Sequence, residues 1–371
     1  MEAELMETGN RNEKNGNAIE NTGIQRADIK SLTLKELRQA VTELGEKPFR
    51  AEQLFSWMHE KLADGFDEMT NLSKGFRETL KQEYEYVSLE LVEVQTSKTD
   101  GTRKFLFRLS DGLVIESVLM RYKYGNSVCI SSQAGCRMGC RFCASTIGGL
   151  ERSLRPSEML EQVYQITRLL GERVSHVVVM GTGEPLDNYD NLVRFLGLLT
   201  CKGGLHLSQR NITVSTCGIV PGIRALAEEG LAVTLALSLH AATQEKRCEL
   251  MPIARRYGLL EVLEACRYYF QKTGRRISFE YSLVAGFNDT GEDAKLLAEL
   301  AGDLKCHVNL IPVNPVRERA FVQPEQKNIG NFKNKLENYG INVTIRREMG
   351  RDIDGACGQL RKSYMEGRNQ C

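Results

Sequence analysis

The sequence predicts an α/β protein: a partial, TIM-like (βα)6 barrel preceded by an N-terminal helical module and a short antiparallel β meander. Three observations carry this. Apolar residues recur at helical spacing up to about residue 85 and alternate at strand spacing from 88 to 122. Beyond Gly125, strand-like and helix-like segments alternate six times, the pattern of a parallel sheet with right-handed crossovers. A glycine- and cysteine-rich run directly follows the first of those strands, at the end where barrel enzymes keep their chemistry.

Residues 1–27 are polar, rich in Asn and Glu and aperiodic, and read as a mobile tail. A helical accessory unit is expected over 28–86. Thr33 and Glu36 have capping-box spacing, and Leu37, Val41 and Leu44 continue one apolar face up to the break at Pro48. Further amphipathic helices are expected over 51–66 and 72–85. The antiparallel extension, 87–124, holds strands at 88–97, 103–110 and 113–122, joined by turns at Asp100-Gly101 and Asp111-Gly112. The barrel, 125–348, offers strands at 127–134, 176–181, 211–218, 231–240, 276–284 and 307–313. Helices are expected between them at 156–171, 191–199, 221–230, 259–271 and 292–304, with Pro156 in a first-turn position. A helix at 325–339 and a strand at 341–348 follow, and 349–371 forms a C-terminal segment.

The chain has 371 residues, 42% of them hydrophobic and 26% charged, with a formal net charge of +1. It can bury a sizeable core, and its charge excludes a blanket electrostatic coat for nucleic acid, leaving only local basic contacts. The opening MEAELMETGNRNEKNG has no apolar signal core and no long apolar run follows, so a cytoplasmic protein without a membrane span is expected. In that reducing compartment, its eleven cysteines serve as packing residues, metal ligands or reactive thiols.

GCRMGCRFC at 135–143 places Cys136, Cys140 and Cys143 in C-x3-C-x2-C spacing on one loop. Three thiolates there can hold a cubane cluster or, with a fourth ligand, a structural zinc. No nearby His or Cys completes a zinc set, and Cys129 lies deep in the preceding strand. A [4Fe–4S] cluster with three protein thiolates keeps one iron open for a ligand. Other polar residues fall at the ends of later strands: Gly181, Gly183 and Glu184 in MGTGEPLDNY, Ser215 in VSTCG, Ser238, Leu239 and His240 in LSLH, and Asn314 in IPVNP. Each alone could cap a turn; together with the cysteines they point to a shared ligand, which the glycines would let the backbone approach. Basic residues cluster at 246–257, around 267–276, at 344–348 and near the C-terminus, as solvated faces or as phosphate contacts.

With VCISSQAGCRMGCRFCAS, GTGEPLDNY, LSLHAAT, LMPI, IPVNP and DIDGACGQL in place, the chain resembles the radical S-adenosylmethionine methyltransferases that modify an adenosine carbon of 23S ribosomal RNA. The likeness covers roughly 30–362; the 27-residue tail, and Thr182 where Met is common, are its departures.

The resemblance implies a radical S-adenosylmethionine barrel with one [4Fe–4S] cluster on Cys136, Cys140 and Cys143. It implies two S-adenosylmethionine molecules per turnover, bound by Gly183, Glu184, Ser215, Ser238, Leu239, His240 and Asn314. Cys357 would accept a methyl group, a 5′-deoxyadenosyl radical would activate it, and the resulting carbon radical would add to adenine C2. Glu116 would remove the ring proton, and Cys129 would close a transient disulfide with Cys357 to release the RNA. Substrates would be 23S rRNA and, 3′ of the anticodon, some tRNAs. A flavodoxin- or ferredoxin-type electron donor and a monomeric state are expected, and the helical unit is a candidate RNA-docking element. Methylation at adenine C8 is the near alternative; a non-catalytic iron–sulfur or zinc RNA-binding module is the distant one.

Overall fold

The computed structural model describes residues 26–313, 321–353 and 358–368. The chain enters with β1 (Ala27–Asp28), passes through α1 (Leu34–Glu43), α2 (Phe49–His59) and α3 (Lys74–Glu83), and returns to pair with β1 through β2 (Tyr84–Glu85). The Thr33/Glu36 capping box forms: Thr33 Oγ1 accepts the Glu36 N–H, and the Glu36 carboxylate accepts the Thr33 N–H at 2.7 Å. Leu37, Val41, Leu54, Phe55 and Met58 are buried in a core shared with the barrel. α2 stops at His59 instead of reaching residue 66. Leu62 takes a left-handed φ of +57°, and a separate 3₁₀ turn at Phe66–Glu68 buries Phe66.

β3 (Glu90–Thr96), β4 (Arg103–Arg108), β5 (Val114–Tyr122) and β6 (Gly125–Cys129) then run antiparallel. The strand expected at 127–134 is split. It ends at Cys129 and resumes as β7 (Gln133–Gly135), which pairs with β8 (Leu150–Ser153) and closes the base of the cysteine loop. Gly135 enters that loop at φ +78°, where a Cβ would lie 2.1 Å from the Gly149 carbonyl oxygen.

The alternating part follows as α4 (Pro156–Leu170), β9 (Val174–Val179), α5 (Tyr189–Thr200), β10 (Ile212–Thr216), α6 (Val220–Glu228), β11 (Thr234–Ser238), α7 (Gln244–Leu250), α8 (Leu259–Thr273), β12 (Ile277–Leu283), α9 (Gly291–Ala301), β13 (Cys306–Pro312), α10 (Gln326–Asn338), β14 (Val343–Ile345) and α11 (Gln359–Arg368). Among the described residues one ten-stranded sheet runs β14-β13-β12-β11-β10-β9-β6-β5-β4-β3. It is parallel from β6 through β14, so the antiparallel strands continue the barrel sheet outward from β6.

Strand periodicity sorts the side chains. Val214, Leu237, Phe279, Tyr281 and Leu310 join the core, whereas Ser215, Ser238, Glu280 and Ser282, one residue out of phase, line the site. α7 and α11 were not expected from the sequence. From the sequence, residues 246–257 read as a solvated basic face or as phosphate contacts, yet Arg247 on α7 is wholly buried and cannot be a phosphate contact.

Candidate functional site

The chemistry gathers at the C-terminal ends of the strands. One pocket is lined by Cys136, Cys140 and Cys143 together with Gly183, Glu184, Ser215, Ser238 and His240. Leu239 is fully buried beside it, its N–H donating to the Glu280 carbonyl at 3.0 Å, and does not line the pocket. Asn314 and Cys357 lie outside the described residues. Glu280, Ser282 and Arg346 also line the pocket and were missed, and Cys217, in VSTCG beside Ser215, lines it too. The signal for the first two was the alternation within FEYSL, which puts both carboxylate and hydroxyl on the interior face of β12.

The cysteine loop is held on both sides. The Cys136 N–H donates to the Gly149 carbonyl at 2.8 Å, and the Arg141 N–H donates to the Leu250 carbonyl at 2.8 Å. Burial pushes the Cys136 thiol up to about 12. Burial, and then the neighbouring Cys143 and Cys136, push the Cys140 thiol well above its ordinary value. Cys136 and Cys140, thiols that resist ionisation alone, are donors a cationic iron–sulfur core would deprotonate on binding. No three His, Cys, Asp or Glu groups among the described residues converge tightly enough to close around a single metal ion. The sulfurs that ligate three corners of a cubane stand farther apart than the ligands of one tetrahedral zinc.

Glu184 is buried, and its carboxylate accepts the Cys217 N–H at 2.8 Å and the Leu186 N–H at 3.1 Å. Burial raises its pKa. The preceding glycines line the pocket and also make room for the neighbouring chain. A Cβ on Gly181 would lie 2.7 Å from the Ile130 carbonyl oxygen, and one on Gly183 would lie 2.6 Å from the Gln133 Cβ. They let the β9 loop pack on the chain leaving β6, which fixes Glu184 over the cysteine loop. His240 adopts φ +58°. Its Nδ1 accepts the Ser282 N–H at 3.0 Å, which assigns the proton to Nε2. Burial and then Arg247 hold its pKa down at about 3, so it stays a neutral ring. Phe142 of the cysteine loop meets it edge-on at 4.6 Å.

Glu116 stands at the far side of the loop. In the β4–β5–β6 register, Leu106 faces Glu116, and Val118 faces both Lys104 and Cys129. Lys104, Glu116, Val118 and Cys129 therefore share one face of the sheet. Glu116 is buried; its Oε2 lies 3.2 Å from the Lys104 Nζ and accepts the Gly358 N–H at 2.7 Å, while its Oε1 accepts the Arg361 N–H. Arg361 completes the clasp, donating to the Val114 carbonyl at 2.9 Å and to Glu151 at 2.7 Å. Gly358 abuts the cysteine loop on its other side: a Cβ there would lie 2.8 Å from the Ser145 nitrogen.

A parallel partial barrel with three cysteines after its first strand and a polar pocket over them defines a radical S-adenosylmethionine enzyme. Comparison with known proteins agrees. Residues 130–301 match the radical SAM superfamily, and residues 27–85 match the ribosomal RNA large subunit methyltransferase N-terminal domain. A probable dual-specificity RNA methyltransferase RlmN of Lachnospira eligens is 64% identical over 91% of this chain and 97% of its own length. A Clostridium perfringens protein of the same description is 52% identical over 92% of this chain and 98% of its own. The crystal structure of a radical SAM methyltransferase from Sphaerobacter thermophilus superposes with a TM-score of 0.86, at 42% identity, over 90% of this chain and 98% of that one. The chain belongs to the RlmN family of dual-specificity RNA methyltransferases. Its superfamily works with a [4Fe–4S] cluster and S-adenosylmethionine, and these are its cofactors. No helix among the described residues is long and apolar enough to cross a membrane.

Replacing Cys140 by Ser should abolish cluster binding while leaving the fold intact, because the loop lies outside the barrel sheet. Anaerobic reconstitution should give about four irons per wild-type chain and near none for the variant, with unchanged circular dichroism. A fully loaded variant would remove Cys140 from the ligand set.

Proposed function

We propose that the protein methylates C2 of one adenosine in 23S rRNA and of the adenosine 3′ of the anticodon in some tRNAs. Cys136, Cys140 and Cys143 hold the cluster, and Gly183, Glu184, Ser215, Ser238, His240 and Asn314 surround S-adenosylmethionine. Glu184 meets its ammonium group, and the His240 Nε2–H is available as a donor. The bound cofactors supply a methyl group and a 5′-deoxyadenosyl radical.

The chain's own residues do the rest. Cys357 carries the methyl group to the RNA base, Glu116 accepts the ring proton, and Cys129 attacks the Cys357 sulfur to free the product as a transient disulfide forms. The observation that carries this reading is the anchoring of Gly358. Its N–H is bound to Glu116, and its Cα is packed against Ser145, directly after the cysteine loop. One peptide unit, about 3.8 Å between Cα atoms, separates it from Cys357. Gly358, the residue after the proposed carrier, is thus held between the cluster loop and the sheet face bearing Glu116 and Cys129. We assign RNA docking to the unit at 28–86, and place the enzyme in the cytoplasm as a monomer served by a flavodoxin- or ferredoxin-type donor.

The test is methylation of a 23S rRNA fragment by the reconstituted enzyme with S-adenosylmethionine and a reductant, followed by nucleoside mass spectrometry. 2-Methyladenosine is expected. 8-Methyladenosine alone would overturn the regiochemistry, and bound RNA with no methylation would favour a binding module.

A further inference from the structure

Arg247 on α7 is wholly buried. One amino group of its guanidinium donates to the Cys217 carbonyl at 2.6 Å, while Nε and the other amino nitrogen are buried with no hydrogen-bond partner. A buried guanidinium is costly unless an anion meets it. Burial lowers its pKa most, and the groups that most oppose this are the thiols of Cys217 and Cys140.

The wall behind the cysteine loop is built from the same stretch of chain. Cys140, Cys217, Leu250 and Met251 pack as one cluster, and Leu250 accepts the Arg141 N–H. The guanidinium packs closely on Gly218, where an added Cβ would lie 3.0 Å from it. Two negative charges are due beside Cys217: the Glu184 carboxylate, already met by the Cys217 and Leu186 N–H groups, and the cluster itself. Three thiolates on a [4Fe–4S] core leave one net negative charge when oxidised and two when reduced.

We propose that Arg247 is the fixed counter-charge of the [4Fe–4S] cluster, stabilising its reduced state through the Cys140 side. The inference rests on the assignment of Cys136, Cys140 and Cys143 as cluster ligands. In a low-dielectric wall a cation favours the more negative oxidation state, so Arg247 raises the potential at which an external donor can load the electron. This makes Arg247 a positioning residue that acts through the cluster and does not touch the substrate.

Two measurements test it on reconstituted wild-type, R247Q and R247K proteins. In redox titrations followed by electron paramagnetic resonance, R247Q should be at least tenfold harder to reduce, a midpoint lower by about 59 mV for one electron. R247K, which keeps the charge, should stay within about threefold of wild type, below half of that shift. R247Q with a full iron complement and a wild-type midpoint overturns the proposal. So does a tenfold loss of S-adenosylmethionine affinity at an unchanged midpoint, which would make Arg247 a ligand contact.

Thermal melting of the apo and loaded forms separates charge from packing. Removing an unmet cation should leave apo R247Q at least as stable as apo wild type, with loaded R247Q less stable than loaded wild type. Equal destabilisation of both forms means packing alone and overturns the proposal, and the apo comparison decides even if R247Q takes up no iron. Failure of wild type itself to bind iron would strike the cysteine assignment instead.

Discussion

Cys129→Ala is expected to leave RNA covalently attached to the protein. Cys129 closes β6 and shares its sheet face with Glu116, whose carboxylate anchors the residue following Cys357. Nothing in methyl loading, radical formation or addition to the base requires the Cys129 sulfur. Only the last step does, when a thiolate must attack the Cys357 sulfur for the carbon to leave with the RNA. Cys129 is buried, but Cys→Ala removes a single atom, so the fold should tolerate the loss at about 1 kcal/mol. On denaturing gels, turnover with labelled RNA should shift label onto the protein, and digestion should place the adduct on the peptide containing Cys357. Release of multiple-turnover product below one tenth of the wild-type rate should accompany it. Free, unmodified RNA with no adduct would deny Cys129 the resolving role, and so would normal turnover.

The parts of the site that could be read from the sequence are those encoded locally. Cys136, Cys140 and Cys143 lie within eight residues, so their spacing carries their chemistry whatever the fold does. Ser215, Ser238 and His240 were readable because each lies at or just past the C-terminal end of a strand, and strand ends in such a barrel point to one place. What escaped is decided by contacts distant in sequence. Arg247 sits in a basic run that looks solvated, and only the packing of α7 behind the cysteine loop buries it. The α11 segment, QLRKSYMEGR, is too short and polar to be stable alone. Its start is fixed by Glu116, 242 residues before Gly358 in the chain, and Leu360 packs against Leu106 and Val114. The glycines of MGTGEP read as room for a ligand; they line the pocket and also admit the neighbouring backbone. A glycine pattern reports close approach without naming what approaches.

Glu116→Gln is expected to stall the reaction one step earlier than Cys129→Ala, at the adduct that still holds its ring proton. The carboxylate has two tasks that must be told apart. As an anchor it accepts two backbone N–H groups at the start of α11 and faces Lys104. As the proposed base it would take the proton from adenine C2 after the carbon–carbon bond forms. Gln keeps the shape and one carbonyl acceptor, so one of the two backbone bonds survives, while its amide nitrogen opposes the other N–H. Losing a charged acceptor there costs about 1.5–3 kcal/mol. That should raise the hydrogen exchange of α11 amides without undocking the helix, because Leu360 and the Arg361 clasp to Val114 and Glu151 remain. Loss of a positioned base removes about 10²–10⁴ in rate, so product formation should fall by at least about 100-fold. Deuterium at adenine C2 reads out the step at which the reaction stops. The adduct formed by Cys129→Ala should have lost the isotope, since the base is intact, and the adduct formed by Glu116→Gln should retain it. An adduct without deuterium in Glu116→Gln would assign the base to another residue. Absence of any adduct, with α11 fully exchanged, would leave Glu116 as an anchor whose loss prevents Cys357 from being delivered.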